Sequence, residues 1–210
     1  MGKFFSKKRM YYFRRTLVHP LDSFYEIRHR EVGSVPVALI CVLIFGFAFT
    51  MNRIFASFIV NDVNPRTVNG LTEIWTVFLF FILFCIGNWS VTCLMGGEGR
   101  LKDIVTVTGY SLVPLICVLL PATWLSHYVA AGEEVFYHFA IAIGIIWFAI
   151  LVLMGIMTVH NYSLLKTLAT LILTFFSMFV LIFLALLIYD LINQVYIFLY
   201  SIYTELIFRY

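Results

Sequence analysis

Along this chain the charged residues come in short clusters, separated by long runs that hold no Asp, Glu, Lys or Arg. Five such runs cover 32–52, 74–97, 104–132, 135–165 and 167–189, each between 21 and 31 residues long. A helix needs about 20 residues to cross roughly 30 Å of hydrocarbon, so every run is long enough to span. A membrane barrel would instead show alternating segments of about 10 residues. In lipid, only helices and closed barrels can pair all their backbone groups. The pattern therefore predicts an all-α integral membrane bundle of five transmembrane helices, preceded by a juxtamembrane helix and followed by a C-terminal amphipathic helix. The domain organisation that follows is a basic segment with the juxtamembrane helix at 1–34, a five-span domain at 35–189 and the amphipathic tail at 190–210.

Local signals refine this outline. Ser23 and Glu26 fit a capping box that would start a short helix at about 24–30. Ser34 and Pro36 then open the first span, with proline in the first helical turn. Pro114 and Pro121 predict a kink or local opening of the third span, since each removes a backbone donor. Beyond Tyr189, the polar residues Asp190, Asn193, Gln194, Ser201, Thr204, Glu205 and Arg209 recur close to the helical period, leaving one polar stripe on an apolar helix. The charge-free run inside this tail, 191–204, is too short to span. It is expected in the outer interface, or docked on another membrane subunit through Tyr196, Tyr200, Tyr203, Glu205 and Arg209.

Composition supports the membrane reading, with 62% hydrophobic and only 12% charged residues and a mean hydropathy of +0.98. Soluble domains carry about 25% charged residues. Charge also orients the chain. Of the 14 Lys and Arg, eleven lie before the first span, between the second and third, or between the fourth and fifth; only Arg53, Arg66 and Arg209 fall on the other side. The positive-inside rule then predicts a cytoplasmic N-terminus and an outer or lumenal C-terminus, in a cell membrane or alternatively an ER or Golgi membrane. Arg14, Arg15, Arg28, Arg100, Lys102 and Lys166 are the candidate contacts to anionic lipid headgroups or an acidic partner. Nucleic acid is not an expected partner, because the basic N-terminal segment carries no base-reading fold.

Reactive chemistry is sparse. Cys41, Cys85, Cys93 and Cys117 all fall inside predicted spans and have no metal-ligand spacing, so they read as packing residues. Glu134 and His138 could share a helix face, yet two ligands without a third make a solvated helix start the better account. The turn Gly96-Gly97-Glu98-Gly99-Arg100-Leu101-Lys102 leads into a helix N-terminus, where anions are favoured, but lacks the ending of a Walker A loop. His160 to Lys166 plays the same part before the fifth span, which hints at a repeated hairpin. No catalytic set or cofactor motif emerges, so neither an enzyme nor a cofactor is expected. The absence of charge within the spans disfavours an ion-coupled transporter. A path for a small neutral solute, lined by Asn88, Tyr110 and Ser111, is the alternative to a scaffold.

The element Gly109-Tyr110-Ser111-Leu112-Val113-Pro114 resembles the G-Y-S-x-x-P signature of the Yip-domain, or Ypt/Rab-interacting, family. The preceding Gly96-Gly97-x-Gly99 turn, the segment His19-Pro20-x-x-Ser23-Phe24 and the five-span pattern resemble the bacterial-type branch of that family. The resemblance implies a five-helix polytopic protein that works by binding other proteins rather than by catalysis. For the bacterial type it implies an accessory subunit beside ABC-type transporters. For a eukaryotic member it would imply a trafficking adaptor for small GTPases, but the D-L-Y-x-P type element of those relatives is absent. The expectation is therefore a non-enzymatic scaffold or accessory subunit that binds other integral membrane proteins.

Overall fold

The computed structural model describes residues 15–16, 19–30, 33–130 and 132–208; Arg14 and the basic residues before it, and Arg209, lie outside the described residues. Helix α1 is Pro20–His29, α2 Val35–Phe55, α3 Gly70–Leu94, α4 Leu101–Ser111, α5 Val113–Leu125, α6 Glu134–His160 and α7 Leu164–Phe208. Five of the resulting spans are long and apolar enough to cross a membrane, with α4 and α5 together forming the third. The fold is an all-α membrane bundle, and the chain is a multi-pass membrane protein. Phe47, Phe80, Ile146 and Phe183 stand exposed on its walls. Such side chains suit lipid, whereas a large apolar surface in water would need a cover.

Two boundaries differ from the pattern reading, and one expected break is found. Helix α1 begins at Pro20, one turn before the expected capping box, because the proline ring already holds a helical φ. Ser23 is consequently buried inside the helix, and Glu26 pairs forward with Arg30 at 3.2 Å. The third span does break, between Ser111 and Val113. Pro114 cannot donate to the carbonyl one turn back, and the Leu112 N–H turns to Gly109 O at 3.3 Å. Pro121 lies within α5 without ending it. The tail is helical as expected, but it is not a separate element. Helix α7 runs unbroken for 45 residues, because a single Asp190 does not stop a helix and no Gly or Pro follows Gly155.

Burial ranks the helices. The apolar window of the α4–α5 span is 61% buried, against 28–33% for α2, α3 and α6 and 11% for α7. Helix α2 packs on α3, α4 and α5, α1 lies against α6, and α7 leans mainly on α3. The core joins Phe24 and Ile27 of α1, Val42 of α2, Ile104, Val107 and Tyr110 of α4, and Ile156 of α6. The helix that carries the Gly-Tyr-Ser element is thus the axis around which the others assemble.

Candidate functional site at the short-turn end

Both short connections, α3 to α4 and α6 to α7, lie at the same end of the bundle as α1. Each follows a helix that ends in a left-handed residue. Gly96 has φ +68° and lets Gly97 N–H reach back to Thr92 O at 2.7 Å; Asn161 has φ +55° and lets Tyr162 N–H reach Met157 O at 3.0 Å. These are the paired helix ends that glycine and asparagine make best. The matching geometry supports the hairpin similarity read from the sequence. The Asn161 cap itself was not anticipated, although an Asn at the end of an apolar run is its signal.

The two turns interlock. Gly99 N–H donates to His160 Nδ1 at 3.2 Å, which places the ring proton of the neutral imidazole on Nε2. The His160 and Tyr162 rings stack at 5.4 Å, and Lys166 Nζ stands 4.0 Å over the Tyr162 ring. A Cβ at Gly97 would sit 2.5 Å from His160 Nδ1 and 2.7 Å from Tyr162 Oη, so the glycine is what allows the turns to meet. Burial pushes the Tyr162 hydroxyl above its ordinary pKa, with the Cys93 thiol adding to the shift, and the phenol stays protonated.

Arg28 ties α1 to this knot. Its Nη2 bonds Glu98 Oε2 at 2.6 Å, and its Nη1 donates to Val159 O near the C-terminus of α6, where a cation is favoured. Together with Tyr25, Thr158 and Asn161 it lines a cleft of about 420 Å³. Arg100 is turned toward its own helix. Its N–H and Nε both point at Asp103 Oδ2, at 3.4 and 3.0 Å, so Asp103 supplies the capping carboxylate of α4. Arg15 pairs with Asp22 at 3.4 Å, and Lys102 stands exposed in the first turn of α4. Of the cationic positions singled out by sequence, Arg28 and Lys166 meet at the knot, with Arg100 beside them.

The Gly-Tyr-Ser element has a different surrounding. Gly109 lies against Ala38 of α2, Tyr110 Oη accepts from Ser34 N–H at 3.2 Å, and Ser111 Oγ donates to Val107 O at 2.8 Å. These residues set how closely α4 and α2 approach, and Pro114 fixes where α4 ends. Asn88, the third residue of the solute-path alternative, sits at the α3–α7 contact, fully buried, with Nδ2 donating to Thr174 Oγ1 at 3.1 Å. At the opposite end, Asn52 Nδ2 bridges Thr123 Oγ1 and Tyr137 Oη, at 2.8 and 2.7 Å. Such interhelical bonds contribute about 0.6 kcal/mol each in membranes and act mainly to fix register.

Tyr196, Tyr200, Tyr203 and Glu205 lie on the exposed, projecting half of α7, where the Tyr196 and Tyr200 rings stack at 6.3 Å within the helix. Glu134 opens α6, with His138 one turn further on, and among the described residues no group of three His, Cys, Asp or Glu side chains gathers to hold a metal ion.

The architecture defines a polytopic helical membrane protein whose polar groups bind its own helices together. The family model of the Yip1 domain matches residues 14–204, nearly the whole chain, and the protein belongs to that family. No curated protein and no solved structure matches it.

Proposed function

We propose that this chain is a non-enzymatic membrane scaffold, an accessory subunit that binds other integral membrane proteins. One observation carries the reading. Helix α7 leaves the bundle after Met178, and from 182 to 208 every residue except Thr204 is exposed on a helix rich in large apolar side chains. At about 1.5 Å per residue the 45-residue helix is some 68 Å long, more than twice the hydrocarbon thickness. Its far half extends past any single bilayer crossing and needs a covering surface. The knot at the other end, by contrast, spends its polar groups on fixing helix ends and offers no nucleophile with a base. The specific form expected from the bacterial-type resemblance is an accessory subunit beside an ABC-type transporter.

Purification of the full chain from native membranes in mild detergent tests this. A particle with stoichiometric partner chains is expected, lost when residues 190–210 are removed while the truncated chain stays inserted. Turnover of a substrate, or solute flux through liposomes holding this polypeptide alone, overturns the proposal.

A further inference from the structure

Asn88 is fully buried in α3, and only one end of its carboxamide has a partner. Thr174 Oγ1 spends its single proton on Thr170 O, at 2.8 Å, so toward Asn88 it can only accept. That sets Asn88 Nδ2 toward α7 and leaves Oδ1 with no donor among the described residues. Thr108 of α4 is in a similar position. Every other buried threonine of α2 to α7 donates to the carbonyl four residues back, as Thr106 does to Lys102 O and Thr123 to Leu119 O, both at 2.7 Å. Thr108 Oγ1 makes no such bond and stands instead beside the Cys85 thiol, a weak partner. Cys85 and Asn88 lie three apart on the buried face of α3, a spacing that makes them neighbours on a helix. The uncommitted hydroxyl of α4 and the uncommitted carbonyl of α3 therefore belong to one place in the core.

We propose that a water molecule is bound there, inside the membrane-spanning bundle, donating to Asn88 Oδ1 and accepting the Thr108 hydroxyl proton. Burial decides the size of the occupant. Asn88 is 0% and Thr108 5% exposed, so neither a lipid headgroup nor a side chain of another protein reaches them. Hydrogen-bonding chemistry decides its kind. Oδ1 needs a donor and the hydroxyl needs an acceptor, and water is the smallest molecule that is both. Its remaining proton has Cys85 Sγ as a weak acceptor, which completes the two to four polar contacts that buried water requires. A metal ion would satisfy Oδ1 but calls for a fuller set of ligands, and among the described residues no group of His, Cys, Asp or Glu gathers to supply one. The water extends the Asn88–Thr174 tie to α4. Helix α7, the least buried of the spans and packed mainly on α3, is thereby fixed to the central helix as well. This site is independent of whatever covers the projecting half of α7.

Solid-state NMR of the full chain in liposomes tests this through magnetisation transferred from water protons to the Asn88 carboxamide carbon. Labelled glycine and asparagine identify the signal without any substitution, because Gly87-Asn88 is the one place in the sequence where Gly precedes Asn. Transfer is expected in the unmodified chain, to survive in Thr108→Ser, which keeps the hydroxyl, and to fall several-fold in Thr108→Val, which replaces it with a methyl group. No transfer in the unmodified chain overturns the proposal whatever the variants do. Undiminished transfer in Thr108→Val would remove Thr108 from the site and overturns it too. A carboxamide that receives no magnetisation from water, and whose resonance moves when choline replaces sodium and potassium in the buffer, would assign a cation in place of water.

Discussion

A Cβ added at Gly109 would lie 2.7 Å from Ala38 Cβ and 2.9 Å from its Cα and carbonyl oxygen. Backbone atoms of α2 cannot move aside as a flexible side-chain tip can, so α4 and α2 would have to separate. Overpacking of this kind costs about 1–3 kcal/mol, more than the roughly 0.5–1 kcal/mol that Ala gains over Gly within a helix. At Gly96 the situation is reversed, because no atom lies within 4 Å of an added Cβ and only the left-handed φ of +68° constrains the residue. Most L-residues there cost about 1–2 kcal/mol, and Asn much less. The two positions should therefore rank substitutions in opposite order. At 96, Asn is expected to be tolerated better than Ala, and at 109 Ala better than Asn, as read from thermal unfolding of the detergent-solubilised protein. The same order at both sites would show that space, not φ, governs the turn.

Among the elements, α1 is held to the bundle by its buried Phe24 and Ile27 and by Arg28. The Arg28–Glu98 pair is short, but Glu98 is 61% exposed, and an exposed ion pair contributes about 0–1 kcal/mol and weakens with salt. The bond from Arg28 to Val159 O satisfies a carbonyl at the end of α6, and leaving such a group without a partner costs about 1–3 kcal/mol. Arg28→Met should accordingly loosen α1 several-fold more than Glu98→Gln, measured as faster hydrogen exchange across Pro20–His29. Equal effects would place the whole contribution in the ion pair. None of this was legible in the sequence, because Glu98 and Val159 lie 70 and 131 positions from Arg28. Local signals fared better. Charge-free runs marked all five spans, and Pro114 marked the break between α4 and α5. The continuity of the fifth helix past Asp190 was not anticipated, although one charge in a helix without Gly or Pro does not interrupt backbone pairing. The glycine turn was legible as a tight connection, but its engagement with His160 was not, since that contact joins residues 61 positions apart.

For the molecule as a whole, orientation is decided during insertion, before tertiary ion pairs exist. The count of Lys and Arg near the spans governs it, while acidic residues contribute little. The pairing of Arg53 with Glu73 at 3.3 Å, and of Arg28 with Glu98, therefore leaves the eleven-to-three imbalance in force. We propose on this basis that the short-turn end is cytoplasmic and that α7 carries its projecting half to the outer or lumenal side. Two exposed loop residues report on opposite faces: Asn64 before the short helix Pro65–Thr67, and Ser163 at the start of α7. In a background with the four native cysteines replaced, and in sealed vesicles with their outer face outward, Asn64→Cys should react with a membrane-impermeant maleimide. Ser163→Cys should react only after the bilayer is opened. The reverse pattern would invert the molecule, moving the knot of Arg28, His160 and Lys166 to the outer face and turning the projecting half of α7 toward the cytoplasm.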